Sequence, residues 1–310
     1  MTSTSHDGTA PAFRPADRLD ALAILVLLAC CACWGINQSA IKIAGTGISP
    51  ILQAGLRSVF AGLLVFAWAG LRGVRLFERD GTLWSGLLVG SVFSLEFLVL
   101  YVGLDQTSAS RGVVFLYLSP FVVAFGAHFL IPGDRLTVPK VLGLSAAFVG
   151  LAVAVGESFT APGRPTLTGD LLCLLAAVLW GGTTVLIRTT ALKSAAPEKT
   201  LLYQLLISGL VLPPASLALG EAGIRDLGPA VLLAFAYTVI IVAFVSYIAW
   251  FWLVRSYPPT RVTAFTFLSP VFGVIAGNLM LGEAFTPSLA VALVLIAFGI
   301  YLVNRPAARP

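Results

Sequence analysis

Charge is what this chain is short of. Asp, Glu, Lys and Arg make up 11% of its 310 residues, where a soluble globular domain carries about 25%. So few charges cannot clothe a water-facing surface, so a soluble fold is excluded. With 58% hydrophobic residues and a mean hydropathy of +0.96, the chain is expected to be an all-α integral membrane protein in a lipid bilayer. Histidine occurs twice and cysteine four times, without ligand spacing, so no metal site is expected. Cys30, Cys31, Cys33 and Cys173 fall inside apolar runs and are expected to be small packing residues. No Gly-x-x-x-x-Gly-Lys-Ser/Thr loop is present, so no ATP drive is encoded and no cofactor is expected. The net charge of +5 would suit nucleic acid, but the basic residues lie between apolar runs, where membrane topology explains them. Residues 1–19 are polar and lack the basic start and short apolar core of a secretory signal, and are expected to form a disordered tail.

What the chain does have is ten apolar runs: 20–43, 51–70, 83–103, 112–131, 139–156, 169–189, 200–219, 230–253, 262–281 and 288–304. Each is near the ~20 residues that cross hydrocarbon as a helix. One stretch occurs twice. Arg111-Gly-Val-Val-Phe-Leu-Tyr-Leu-Ser119-Pro120 returns 150 residues later as Arg261-Val-Thr-Ala-Phe-Thr-Phe-Leu-Ser269-Pro270. In each copy the proline falls mid-span and cannot donate to the carbonyl four residues back. Pro120 and Pro270 are therefore expected kinks or hinges, and Leu116 and Thr266 the released carbonyls. Other pairs repeat at similar offsets. Trp34-Gly35 precedes Lys42 as Trp180-Gly181 precedes Arg188, and Asp134 with Thr137 matches Glu283 with Thr286.

Sorting Lys and Arg by loop puts fourteen on the side that carries both termini and four on the other (Lys42, Arg111, Arg164 and Arg225), with Arg57 inside span 2. The excess places both termini in the cytoplasm. Five spans per half is an odd number, so the second half enters the membrane from the opposite face. The expected fold is ten transmembrane helices as two inverted five-helix repeats, 20–156 and 169–304, the plan of many secondary transporters.

These residues are together similar to the drug/metabolite transporter superfamily, EamA type: two five-span halves, Trp-Gly followed by a cation in spans 1 and 6, and Ser-Pro in spans 4 and 9. Within that type the chain resembles the bacterial YddG-like amino-acid exporters. The resemblance implies a multi-pass protein of the bacterial inner membrane that exports amino acids or other small metabolites. It also implies a central cavity lined by spans 1, 3, 4, 6, 8 and 9, with spans 5 and 10 behind.

Glu96 sits in the middle of span 3. A carboxylate at a span centre costs at least about 2.5–3.5 kcal/mol, so it must face a cavity or a partner. It is either an acceptor for a substrate ammonium, a proton site, or a structural hydrogen-bonding group. Its repeat counterpart is Ser246, so the charge is one-sided and suits a substrate with one cationic end. Trp34, Asn37 and Gln38 share a helical face, as Trp180, Thr183 and Thr184 do in span 6; they line a cavity or pack helices. Tyr117, Ser119, Thr266 and Ser269 flank the prolines, and Tyr247 and Trp250 share a face of span 8. Arg57, in a span outside the implied lining, is expected to be structural, and Tyr101 to join the interfacial aromatic belt. His128 is read as packing or interfacial, with a proton role open. The competing function classes are a membrane-embedded enzyme acting on lipid, an exporter of drugs or other metabolites, and an ion channel. The first needs paired carboxylates or a nucleophile with its base, and the spans offer neither. The third would draw its filter from identical subunits, against which the inverted repeat argues.

Overall fold

Inside hydrocarbon a backbone N–H or C=O finds no water, so each segment must satisfy its own, and the helix is the form that does so. The computed structural model of the chain, which describes residues 18–106, 115–155, 167–281 and 287–305, is helical throughout. Among the described residues the extended pairing is one isolated bridge between Ile48 and Ile224. The spans are α1 (Ala21–Gly45), α2 (Pro50–Leu71), α3 (Leu83–Gln106), α4 (Ser119–Leu130), α5 (Val138–Val155), α6 (Leu167–Thr189), α7 (Pro197–Ala218), α8 (Pro229–Ser256), α9 (Leu268–Leu281) and α10 (Pro287–Asn304). Helices α1, α2, α3, α6, α7 and α8 are each long and apolar enough to cross a membrane. The expected tail up to residue 17, Arg111, Glu283 and Thr286 lie outside the described residues, as do the side chains of Gln38 and Lys42.

Helix starts follow local chemistry. The Asp20 carboxylate caps α1 by accepting from Ala23 N at 2.8 Å, and α2, α7 and α8 open with proline at the first position, where its missing N–H is no loss. The helices are apolar nearly all round, and Leu25, Leu63, Phe125 and Leu210 stand exposed on the outside, as a lipid-facing surface requires.

The packing is two-fold. Helix α1 packs on α9 as α6 packs on α4, and α3 lies on α6 and α7 as α8 lies on α1 and α2. On the axis α2 meets its counterpart α7, and α5 meets α10 away from the centre. Loops obey the same rule. The Glu221 carboxylate, between α7 and α8, accepts from Ile51 N and Leu52 N at the start of α2, each at 3.0 Å. Asp80, between α2 and α3, accepts from Lys199 Nζ at the start of α7, at 2.8 Å. Two inverted five-helix halves therefore face each other, as the spacing and charge bias predict.

Both expected breaks are present. Tyr117 and Leu118 form a turn before α4, and a 3₁₀ turn at Phe265–Phe267 joins the short helix Pro259–Ala264 to α9. The Phe265 carbonyl, which also accepts from Leu268 N, accepts from Cys31 Sγ at 3.2 Å, so this buried cysteine does more than fill space.

Candidate functional site

The two duplicated motifs turn out to be two halves of one contact. A Cβ at Gly35 would stand 2.6 Å from Gly273 N and 2.7 Å from Ser269 O, and one at Gly181 would stand 2.7 Å from Val122 Cβ and 2.9 Å from Ser119 O. Each Trp-Gly thus lets its helix press against the Ser-Pro break of the opposite half. Pressed together there, the broken helices leave a cavity of about 340 Å³ on the other side of the tryptophans.

Its wall has an apolar and a polar part. The apolar part is aromatic. Trp34 meets Trp250 edge-on at 5.1 Å and Tyr247 at 6.4 Å, Phe93 meets Phe97 at 4.9 Å, and Tyr117 meets Trp180 at 5.9 Å. Such rings supply apolar area with fixed geometry. The polar edge of Trp34 is already committed, since Nε1 donates to Ser246 Oγ at 2.8 Å and that hydroxyl donates to Val242 O at 2.6 Å. Thr183 Oγ1 and Thr184 Oγ1 likewise donate to carbonyls of their own helix, at 2.9 and 3.4 Å.

Among the described residues, four lining side chains keep polar atoms without partners. Arg57, 3% exposed, has Nε and Nη2 free of any hydrogen bond. These two nitrogens form the edge of the guanidinium fork that grips a carboxylate in bidentate fashion. Glu96, 6% exposed, has Oε2 unpartnered, and the side-chain carbonyls of Asn37 (Oδ1) and Gln204 (Oε1) are unpartnered too. Buried polar atoms without partners cost about 1–3 kcal/mol each, more when charged. Five of them, on four side chains around one cavity, mark places where a solute or water completes the bonding. Arg57 is held by rings, with Cζ 4.6 Å from the Phe97 centroid and 6.0 Å from that of Tyr247. That placement stabilises the cation and leaves its fork unspent.

Of the residues singled out in the sequence, Glu96, Trp34, Asn37, Tyr117, Trp180, Thr183, Thr184, Tyr247 and Trp250 line this cavity. Ser119 and Thr266 are buried but lie off its wall, as does Ser269. The released carbonyl residue Leu116 is on the wall; its counterpart Thr266 instead donates through Oγ1 to Thr263 O at 2.7 Å. Arg57 and Tyr101, expected to be structural and interfacial, are both lining residues. Gln204, Phe93 and Phe97 carried no motif to announce them. His128 accepts from Leu136 N through Nδ1 at 3.1 Å, which ties down the turn after α4.

The lining extends from Ile41 and Leu104, near the last turns of α1 and α3, to Thr184 and Phe251. Beyond that lower limit the halves are tied together. Asp134 Oδ2 accepts from Thr260 N at 3.0 Å and Asp20 Oδ2 accepts from Tyr257 Oη at 2.8 Å, each across the halves, while within the second half Arg188 Nη1 donates to Arg255 O at 2.6 Å.

Comparison with known proteins agrees with this architecture. A solved crystal structure overlays with a TM-score of 0.80 at 19% identity, over 92% of this chain and 96% of that one, which shows the fold. In sequence the chain is 31% identical to a WAT1-related chloroplastic protein of Arabidopsis thaliana, over 88% of this chain and 67% of that one. It is 28% identical to the uncharacterized transporter YvbV of Bacillus subtilis, over 91% and 90%. It is 25% identical to a probable amino-acid metabolite efflux pump of Escherichia coli, over 91% and 93%. The EamA-like transporter family matches residues 21–156 and again 167–305, once for each five-helix half, and this multi-pass membrane protein belongs to that family.

Proposed function

We propose that this chain is a secondary transporter that exports amino acids or closely related small zwitterions by exposing one midplane cavity to either side in turn. The observation that carries the reading is the presence, in one aromatic-walled cavity, of a buried guanidinium whose Nε and Nη2 and a buried carboxylate whose Oε2 have no hydrogen-bond partner among the described residues. Arg57 takes the solute's carboxylate on Nε and Nη2. Glu96 accepts from the ammonium, helped by the carbonyls of Asn37 and Gln204, and Trp34, Tyr117, Trp180 and Trp250 pack the solute's apolar part. The efflux activity in the name of the Escherichia coli relative supports the substrate class, and the fact that the family and its relatives are named as transporters supports a non-enzymatic role. The excess of Lys and Arg on one side supports a bacterial inner-membrane protein with both termini in the cytoplasm.

The test is counterflow in proteoliposomes with a panel of labelled amino acids, sugars and nucleosides, with and without a pH gradient. Amino acids are expected to exchange and the others not. Exchange of none of the amino acids while another class moves would overturn the substrate assignment. Hydrolysis or transfer on any bilayer lipid would revive the enzyme reading.

A further inference from the structure

A second concavity, of about 530 Å³, lies on the surface at the end of α2, away from the transport cavity. Gly73, at φ +65°, ends the helix in the left-handed conformation that glycine adopts without strain, and Val74 N donates back to Ala69 O at 2.9 Å. The chain is thereby folded back so that Leu76 and Phe77 lie along the last turns of α2, with Phe77 edge-on to Phe66 at 6.3 Å. The result is an apolar groove floored by Phe66, Gly70 and Val74. Phe77 is nevertheless 85% exposed, as is Leu71 at the end of α2.

The same short loop carries Arg72, Arg75 and Arg79, all exposed. Of its two carboxylates, Glu78 lies 3.4 Å from Arg75, and Asp80 is held by Lys199. Arg72 stands over Trp68, 5.6 Å from the ring, at the membrane edge where tryptophan settles. The two-fold counterpart, the loop between α7 and α8, has the opposite balance, with Glu221 and Asp226 against Arg225. This loop belongs to the side that carries the excess of Lys and Arg, and here its arginines border an apolar groove.

We infer that this groove binds an anionic phospholipid, one acyl chain lying along Phe66, Gly70, Val74 and Phe77 and the phosphate held by Arg72 and Arg79 of the same loop, beside the Arg75–Glu78 pair on the groove wall. An apolar slot with a cationic rim at the membrane boundary is complementary to that molecule in both of its parts.

The full-length protein is reconstituted in nanodiscs of phosphatidylcholine alone or with added phosphatidylglycerol, and unfolding temperature and retained lipid (by native mass spectrometry) are measured. Phosphatidylglycerol is expected to raise Tm with its mole fraction, as linkage requires of a ligand of the native state, and to be retained preferentially. The double variant Arg72→Gln/Arg79→Gln is expected to keep the wild-type Tm in phosphatidylcholine and lose the selective rise. Phe77→Ser is expected to lose retention of the long-chain lipid. An equal rise with phosphatidylcholine, an undiminished rise in the double variant, or the same rise with inorganic phosphate alone would each overturn the proposal.

Discussion

At the residue scale the account rests on two side chains with opposite charge and separate tasks. If Arg57 holds a carboxylate, Arg57→Gln should weaken amino acids but not their decarboxylated amines. If Glu96 holds an ammonium, Glu96→Gln should do the reverse, sparing deaminated carboxylic acids. A hydrogen bond to a charged group is worth about 1.5–3 kcal/mol, so each loss should be roughly ten- to hundredfold in affinity, read by competition against counterflow of the parent amino acid. Equal loss for all three solute types would mean that the substitutions damage the fold rather than the site. Glu96 was legible in the sequence because a lone carboxylate in an apolar span has nowhere else to go. Arg57 was not, since a long basic side chain can snorkel and its position alone does not tell which way it turns. Gln204 and the phenylalanines of α3 were hidden for a related reason: helices apolar nearly all round carry no sign of which face meets the cavity.

At the scale of the elements, the fold was readable because length, proline position and a repeat of about 150 residues survive in one dimension. The contact between the repeated motifs was not, because Trp-Gly and Ser-Pro meet only across the halves. That contact gives a symmetric expectation. At Gly35 an added methyl meets backbone atoms of α9, and at Gly181 it meets Val122 Cβ at 2.7 Å and Ser119 O at 2.9 Å, neither of which a rotamer change can move. Gly35→Ala and Gly181→Ala should therefore each cost in the ~1–3 kcal/mol range typical of overpacking, measured as Tm in detergent. Helix α8 holds a further surprise in Thr238–Ser246, which is π-helical. Its sequence, Thr-Val-Ile-Ile-Val-Ala-Phe-Val-Ser, looks like any buried helix, so the widened turns are a product of packing, next to Tyr247 on the cavity wall. Such segments are common at functional positions. At the membrane edge, Asp80 ties the α2–α3 loop to α7. Partial burial pushes its carboxyl up, but the hydrogen bonds from Lys199 and Thr82 outweigh this and bring it down to about 2, from 3.8. The folded value lies below the unfolded one, so this tie stabilises fully above about pH 4 and is lost as pH falls through 2. The Tm difference between wild type and Asp80→Asn should be present at pH 7 and vanish near pH 2; a difference that persists there would contradict the assignment.

At the scale of the whole molecule, the two-fold relation suggests how one chain can offer its cavity to both sides. The halves are near-equivalent: Asp134 and Asp20 tie them at one end, Ser49 and Glu221 tie the start of α2 to the α7–α8 loop at the other, and the lining reaches toward that second end at Ile41 and Leu104. Exchanging the conformations of the halves would turn the cavity toward the first end. Asp134→Asn, which weakens a tie of the first end, should shift the balance toward that opposite state. The most direct measurement places a single cysteine at Leu100 on the cavity wall, with Cys30, Cys31, Cys33 and Cys173 replaced by serine, and probes it in proteoliposomes with a membrane-impermeant thiol reagent from each side. The account predicts modification from the side of the α1–α2 loop in the resting protein, protection by a transported amino acid, and greater modification from the opposite side in the Asp134→Asn background. Modification from both sides at once at full rate, or none from either side, would contradict it.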